Sequence, residues 1–135
     1  LASAPTLGFG GVYQKGQNTT GGLSLGVTPS LLSFRADGVS DLTASVSLSS
    51  SVFTHIAFCR EISTNTRRIY VGGVQVATDT LSFNNSDTVD LEIGACTSDS
   101  RFSYNGRVDD FRITKAIRYP SGTTFTPDAA AFPDS

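Results

Sequence analysis

Alternation of apolar with small or polar residues, in short runs, is the sequence feature that most limits what this chain can fold into. Residues 42–48 read Leu-Thr-Ala-Ser-Val-Ser-Leu, so an extended strand here places every apolar residue on one face. Leu23–Val27 and Leu32–Ala36 show the same period of two. Turn-forming pairs such as Asp37-Gly38 separate the runs. The pattern predicts short strands with one buried face, joined by tight turns.

Further strand-like runs continue this pattern to residue 113. The longest, Val52–Glu61, is largely apolar on both faces and is therefore predicted to be a central strand covered on both sides. Gly72-Gly73 predicts a tight hairpin. The pattern favours about eight or nine short strands in an antiparallel sandwich or jelly roll. The remaining predicted strands are Val12–Lys15, Leu42–Leu48, Arg68–Val71, Val74–Ala77, Val89–Gly94 and Val108–Ile113.

Composition argues against several classes of protein. The 135 residues suit one domain. Charged residues make up 16% of the chain and the formal net charge is −2, whereas a nucleic-acid-binding protein shows a basic surface. No apolar run is long enough for a membrane span. We therefore expect neither nucleic-acid binding nor membrane insertion. Two cysteines, Cys59 and Cys96, are too few for a disulfide framework, and the sequence leaves open whether they pair.

Three segments are predicted along the chain. Residues 1–11 are mostly small or turn-forming and are expected to be an N-terminal arm or loop. Residues 12–115 carry the strand pattern and are expected to form the sandwich. Residues 116–135 contain three prolines, which forbid regular structure, and are expected to pack irregularly on the sandwich. Because the chain begins with Leu1 rather than Met, we expect it to be a processed or cropped piece of something longer.

Two stretches resemble a known family. Phe53–Arg60, followed by Arg68–Ala77, resembles the W-x-H-V-A-x-x-R … x-L-Y-V-D-G-x-x-V-A pattern of laminin-G-like domains, which have the concanavalin A-like lectin/glucanase fold. Asn105–Lys115, followed by Arg118-Tyr119 and Phe125-Thr126-Pro127, resembles the closing motif of laminin-G-like modules in bacteriophage structural proteins. The resemblance implies an all-β fold, a two-sheet antiparallel jelly-roll sandwich, and a place in a virion.

The start of the chain departs from this family. Laminin-G-like domains usually open with an apolar strand of the F-T-I-E-x-W-V type, and residues 1–11, LASAPTLGFGG, contain nothing like it. We therefore expect a sandwich without its N-terminal strand. Either that strand was cropped, or another segment completes the sheet by strand addition. A strand at Val108–Ile113 flanked on both sides by strands of this chain would contradict this hypothesis.

The carboxylates argue against an enzyme. Retaining glucanases of this broad fold carry an E-x-D-x-E strand, in which alternation brings the catalytic carboxylates together on one face. The nearest sequence here is Thr88-Val89-Asp90-Leu91-Glu92, with Thr88 where the first glutamate would stand. His55 is the only histidine, and no G-x-S-x-G nucleophile motif is present. We expect no catalytic residues, and a degenerate glycanase domain is the less favoured alternative.

The candidate binding residues lie in two polar loops. Sugar recognition uses amides and carboxylates for hydroxyl groups and an aromatic face for the C–H surface, and loops are the natural place for such groups. The loops at residues 84–87 and 97–105 offer this combination. The predicted ligand-binding residues are Asn84, Asn85, Asp87, Asp99, Arg101, Tyr104 and Asn105.

The resemblance implies a non-catalytic carbohydrate- or receptor-binding module, or an adhesion module, of a phage tail, fibre or capsid-decoration protein. Its expected location is the virion surface, or otherwise outside the cell. Expected partners are other virion subunits, copies of the same chain in a homo-oligomer, and host cell-surface polysaccharide. A purely structural role, cementing neighbouring subunits without sugar binding, is the alternative. No metal or other cofactor is expected. Bound calcium is common in related folds and stays open, with Asp87 and Asp99 as candidate ligands.

Overall fold

Two antiparallel β-sheets make up the computed structural model. It describes residues 10–16, 21–36, 38–86, 88–95, 104–120 and 122–129. The strands in these residues are β1 (Gly10–Lys15), β2 (Leu23–Val27), β3 (Leu31–Ala36), β4 (Leu42–Ser45), β5 (Ile56–Glu61), β6 (Thr66–Val71), β7 (Val74–Thr80) and β8 (Leu91–Ile93). The predicted all-β, two-sheet antiparallel sandwich is confirmed. Within the described ranges, no helix is long and apolar enough to span a bilayer.

The larger sheet has five strands in the order β4-β3-β2-β1-β8. Leu25 of β2 lies opposite Phe34 of β3 on one side and Tyr13 of β1 on the other. Directly opposite residues point to the same face of a sheet, so these three side chains form a row towards the second sheet. The other face carries small polar residues such as Ser24 and Ser33. The alternation in the sequence therefore separates the apolar face from the polar one, but Ser24 and Ser33 are buried as well, so the prediction of a single buried face is wrong for these strands.

The smaller sheet has three strands in the order β5-β6-β7. Its central strand is β6, where Ile69 and Tyr70 are fully buried. The predicted hairpin at Gly72-Gly73 joins β6 to β7, and both glycines have positive φ, as a type I′ turn requires. The prediction that Val52–Glu61 is a central strand is wrong. Its regular part, β5, begins at Ile56 and lies at the edge of the sheet, because its strand partner in the described residues is β6 alone.

The inner faces of the two sheets meet in one apolar core. Val27, Leu32 and Phe34 from the larger sheet pack with Ile69 of β6. The ring of Phe34 meets the ring of Phe58 on β5 edge-on, with 6.0 Å between centroids. Full burial of each such side chain contributes about 1.5–3 kcal/mol. The core therefore joins β5 and β6 to β2 and β3.

The segment predicted as the last strand, Val108–Ile113, is not a strand. Only Val108 makes a β-bridge. Asp110 has a φ of 52°, a left-handed conformation that interrupts extended backbone. The N–H of Asp110 donates instead to the carboxylate of Asp109, at 3.0 Å. A strand at Val108–Ile113 flanked on both sides would have contradicted the hypothesis of an incomplete sandwich. The described residues do not contain such a strand.

Two other strands are shorter than predicted. β4 ends at Ser45. The chain then continues beside the β2–β3 turn, where the N–H of Leu48 donates to the carbonyl of Pro29 at 2.8 Å. Of the run Val89–Gly94, only Leu91–Ile93 forms strand β8. In both cases the apolar pattern continues beyond the last ladder pair, so pattern alone overestimates strand length.

The described part of the C-terminal segment crosses the outer face of the smaller sheet. Tyr70, next to the inward Ile69, points to this face, and its hydroxyl donates to the carbonyl of Pro120 at 2.9 Å. The N–H of Phe125 donates to the carbonyl of Gly73 at 3.0 Å. The rings of Tyr119 and Phe125 stack with 3.7 Å between centroids. Aromatic packing and backbone hydrogen bonds therefore hold this irregular segment in place.

Candidate functional site

The two sheets differ in width by two strands, and this difference opens a cleft at one side of the sandwich. β4 packs against β7 and β6, so the sheets are aligned at that edge, and β1 and β8 extend past β5. With about 4.8 Å per strand, roughly 10 Å of the larger sheet has no described strand opposite it. The cleft there has a volume of about 290 Å³.

Side chains from both sheets and from residues 108–119 line the cleft. Val12 and Leu25 contribute from the larger sheet, and Phe58 contributes from β5. Phe111 closes one side, and its ring stacks on Tyr13 with 6.4 Å between centroids. These residues give the cleft an apolar wall.

Arg60 brings a positive charge to the inner side of β5. Its guanidinium lies over the ring of Phe83, 3.8 Å from the centroid, and its Nη2 donates to the Phe83 carbonyl. Its Nε is buried and has no hydrogen-bond partner. Burial, and then the nearby charge of Arg67, lower the pKa of Arg60, because both disfavour the charged form. The cleft therefore holds a guanidinium with an unused donor.

The outer side of β5 faces the C-terminal segment. The ring of His55, just before β5, lies edge-on to Phe125 and Tyr119, with centroid distances of 5.5 and 6.1 Å. Its Nδ1 is buried without a hydrogen-bond partner. Burial lowers the pKa of His55 and raises the pKa of the free Cys59 thiol. These shifts favour the neutral form of both groups. Cys96 lies outside the described residues.

The first predicted binding loop follows β7. Asn84 is exposed and Asn85 is half-buried. The amide oxygen of Asn85 is buried and has no hydrogen-bond partner. Phe83, immediately before them, is held between Phe34, at 6.2 Å, and the guanidinium of Arg60. The contacts of Phe83 therefore fix the start of the loop, and the Asn85 amide oxygen behind it is a buried, unsatisfied acceptor.

The second predicted loop is described from Tyr104 onwards. The N–H of Tyr104 donates to the carbonyl of Gly94 at 3.0 Å. Its half-buried ring packs against the core, and burial raises the pKa of its hydroxyl. Asn105 is exposed. The described candidates thus occupy two segments, one before β8 and one after it. The predicted residues outside the described part of the chain are Asp87, Asp99 and Arg101.

The carboxylate run Thr88–Glu92 is only partly extended strand. Leu91 and Glu92 belong to β8, whereas Thr88 precedes it. Among the residues that the structure describes, no group of three His, Cys, Asp or Glu is placed to hold a metal ion. The predicted calcium ligands, Asp87 and Asp99, lie outside those residues, so calcium binding stays a prediction.

The two facing antiparallel sheets define a β-sandwich of the jelly-roll class. A family model described as the concanavalin A-like lectin/glucanases superfamily matches residues 5–120. The chain therefore belongs to that superfamily. No curated protein matches the chain, and no solved structure matches it.

Sequence reasoning missed the cleft and the part that Arg60 plays in it. One signal was available. Alternation places Arg60 on the same face of β5 as Ile56 and Phe58, and that face points into the sandwich. A charged residue on a face that is otherwise apolar indicates either a buried hydrogen-bond or charge partner or a ligand-binding site. The width of the cleft depends on sheet order, which local sequence does not encode.

Proposed function

We propose that this chain is a non-catalytic carbohydrate- or receptor-binding adhesion module of a phage virion structural protein. The observation that carries the proposal is the match to a superfamily of lectins and glucanases over residues 5–120. The resemblance of Asn105–Lys115 to the closing motif of phage laminin-G-like modules supports a place in the virion. Thr88, where the first carboxylate of a glucanase strand would stand, supports the absence of glycanase activity.

Asn85 is the centre of the proposed binding surface. Its buried amide oxygen has no hydrogen-bond partner, and an unsatisfied buried acceptor costs about 1–3 kcal/mol. Rotation of the half-buried Asn85 side chain exposes this oxygen, and a sugar hydroxyl that then donates to it recovers part of that energy. Asn84, exposed beside it, offers a second amide. The other members of the proposed surface are Asp87, Asp99, Arg101, Tyr104 and Asn105.

Several copies of the module on one particle supply the affinity. A few amide contacts bind a sugar weakly, and linking many such sites raises the overall affinity by about 10²–10⁴. A repeated polysaccharide on a host surface offers the matching array of ligands. This mechanism places the module at the virion surface, in a homo-oligomer or beside other virion subunits.

A multimerised form of the chain, applied to a glycan array and to host-surface polysaccharide, tests the proposal. We expect saturable binding that Asn85→Ala weakens about tenfold. Gln75→Ala removes an amide near the β6–β7 hairpin and is expected to leave binding unchanged. Absence of binding at high valency would contradict sugar recognition. Release of reducing ends from β-glucans would contradict the non-catalytic part of the proposal.

A second candidate function is structural, the cementing of neighbouring subunits without sugar binding. The observation that favours it is a set of large apolar side chains exposed on the side of the sandwich that carries the cleft. The set comprises Leu91, Ile93, Phe111, Ile113 and Ile117. A protein–protein interface above about 1,000 Å² in the assembled particle, together with absence of glycan binding, would favour this function over adhesion.

A further inference from the structure

We propose that residues 118–120 and 122–127 form an acid-released strap: protonation of His55 detaches the strap from the outer face of the smaller sheet and exposes Tyr70, which is fully buried in the docked form. The proposal does not depend on the loops of the proposed sugar site or on the cleft. Three features of the described residues carry it: sparse attachment of the strap, a histidine ring at the contact with the strap, and an imidazole nitrogen without a partner.

Few hydrogen bonds attach the strap to the smaller sheet. In the described part of the chain, one backbone hydrogen bond joins them, from the N–H of Phe125 to the carbonyl of Gly73 at 3.0 Å. The Tyr70 hydroxyl adds bonds to the carbonyls of Tyr119 and Pro120, at 3.1 and 2.9 Å. None of these bonds belongs to a strand ladder. The strap can therefore open locally, at a lower free energy than global unfolding.

His55 lies at the contact between the strap and the sheet. Its carbonyl accepts from the N–H of Gly72 at 2.9 Å, which fixes its backbone to the β6–β7 hairpin. Its ring meets the rings of Tyr119 and Phe125 edge-on, at 6.1 and 5.5 Å. Those two rings stack on each other with 3.7 Å between centroids. A change in the charge of the imidazole therefore acts directly on the aromatic contact that holds the strap.

The docked strap disfavours a charged imidazole. The Nδ1 of His55 is buried without a hydrogen-bond partner. In the imidazolium form both ring nitrogens carry a proton, so a buried N–H would then have no acceptor. Burial is the main cause that lowers the pKa of His55 while the strap is docked. Release exposes the imidazole to water, where its pKa is about 6.5. Protons therefore bind the released form in preference to the docked form.

The other charged and titratable groups around His55 do not account for such a release. The amino-terminal charge of the chain lowers the pKa of His55, Asp128 raises it, and Arg118 lowers it more weakly. Arg118 and Asp128 pair with each other at 3.7 Å, so this pair does not tie the strap to the sheet. The Cys59 thiol and the Tyr70 hydroxyl contact the strap, and burial raises the pKa of both, so both are neutral below pH 7.5.

Native-state hydrogen exchange between pH 7.5 and 5.0 tests the strap. Each rate is divided by the rate of an unstructured peptide at the same pH, which removes the intrinsic pH dependence of exchange. We expect the protection of the Phe125 amide to fall by up to about tenfold for each pH unit below about 6.5, because release binds one proton. We expect low urea to leave this amide nearly unaffected and to accelerate exchange in β3, since local release exposes little surface.

Two variants of His55 assign the effect to its charge. His55→Phe keeps an aromatic ring at the contact and cannot bind a proton, so we expect equal protection of the Phe125 amide at pH 7.5 and 5.0. His55→Gln supplies a second neutral side chain if the larger phenylalanine ring disturbs the fold, which protection in β3 reports. Acetylation of the amino terminus removes the charge there, and we expect the pH dependence to persist in the acetylated chain.

Four results would overturn the proposal. The first is equal protection of the Phe125 amide at pH 7.5 and 5.0 in the unmodified chain. The second is acceleration of that amide by low urea to the same degree as the amides of β3, which would show that the strap leaves only when the whole sandwich unfolds. The third is an unchanged pH dependence in the folded His55 variants. The fourth is loss of the pH dependence on acetylation, which would assign the effect to the amino group.

Discussion

The fully buried guanidinium of Arg67 donates from Nε and Nη2 to the two carboxylate oxygens of Asp79, at 2.9 and 2.5 Å. It also donates to the backbone carbonyls of Phe34 and Ser40, at 3.3 and 2.8 Å. The bidentate pair joins β6 to β7, and the two carbonyl bonds join the smaller sheet to the larger one. One side chain therefore ties the two layers together at one end of the sandwich.

Asp79→Asn is expected to lower the free energy of unfolding by about 1–3 kcal/mol, because it leaves a buried guanidinium without its counter-ion. Because the Asp79 side chain is 34% exposed, the decrease in the free energy of unfolding is expected to be smaller than for a fully buried pair. Urea unfolding measures this decrease. Asp128→Asn is the matched control, since its pair with Arg118 spans 3.7 Å at the surface, and we expect a change below about 0.5 kcal/mol. Equal losses in the two variants would contradict this account of Arg67.

Gly73→Ala is expected to destabilise the chain by more than 2 kcal/mol. Gly73 has a φ of 86°, and a Cβ there would collide with the carbonyl oxygen of Phe125. Gly38 has a φ of 88° with open space around it, so Gly38→Ala bears only the left-handed backbone cost of about 1 kcal/mol. Thermal and urea unfolding of the two variants measure the difference. Equal losses of stability in the two variants would contradict a steric clash between the Cβ at position 73 and the carbonyl oxygen of Phe125.

Tyr70→Phe is expected to lower stability by about 1 kcal/mol and to loosen the C-terminal segment, because the Tyr70 hydroxyl donates to the Pro120 carbonyl. Faster hydrogen exchange over residues 118–127 is the specific readout. Tyr13→Phe is the control, since it also removes a tyrosine hydroxyl, and the ring of Tyr13 packs on Phe111. We expect exchange in residues 118–127 to be unchanged in that variant. Faster exchange of residues 118–127 in both variants would contradict a specific role of the Tyr70 hydroxyl.

Stability is expected to fall as the pH drops from about 7 towards 5, because of His55. Burial is the main cause that lowers the pKa of His55 in the folded chain; Asp128 acts in the opposite direction, and Arg118 lowers the pKa more weakly than Asp128 raises it. Below the unfolded pKa of about 6.5, the unfolded chain binds a proton that the folded chain does not, so the free energy of unfolding decreases until the folded pKa is reached. Urea midpoints at pH 7.5 and 5.0 measure this.

His55→Gln is the test variant for that pH dependence. His55 is the only histidine in the chain, and the side chains of Asp and Glu titrate mainly below pH 5. We therefore expect the variant to show a nearly flat dependence of stability between pH 7.5 and 5.0, whatever its absolute stability. A dependence as steep as that of the unmodified chain would assign the effect to other groups.

The sequence by itself determined the faces of the strands. Period-two alternation is a local property, so the buried face of Leu42–Ser45 can be assigned without any knowledge of neighbours. In β5 the same alternation separates the two faces, but both are largely apolar, so it does not show which one points inward. The hairpin at Gly72-Gly73 is local in the same way, because two positive φ angles favour glycine. The two candidate loops at 84–87 and 97–105 were also located by composition, and their role in binding stays a prediction.

Only the tertiary structure decided which strands are neighbours. An apolar pattern on both faces of Val52–Glu61 fits a central strand and an edge strand beside an open cleft equally well, and sheet order selects the second. The segment Val108–Ile113 has strand composition, but the left-handed Asp110 ends the extended backbone. Arg67 is fully buried because backbone carbonyls from another layer satisfy it. These outcomes depend on contacts far apart in the chain, which no local pattern specifies.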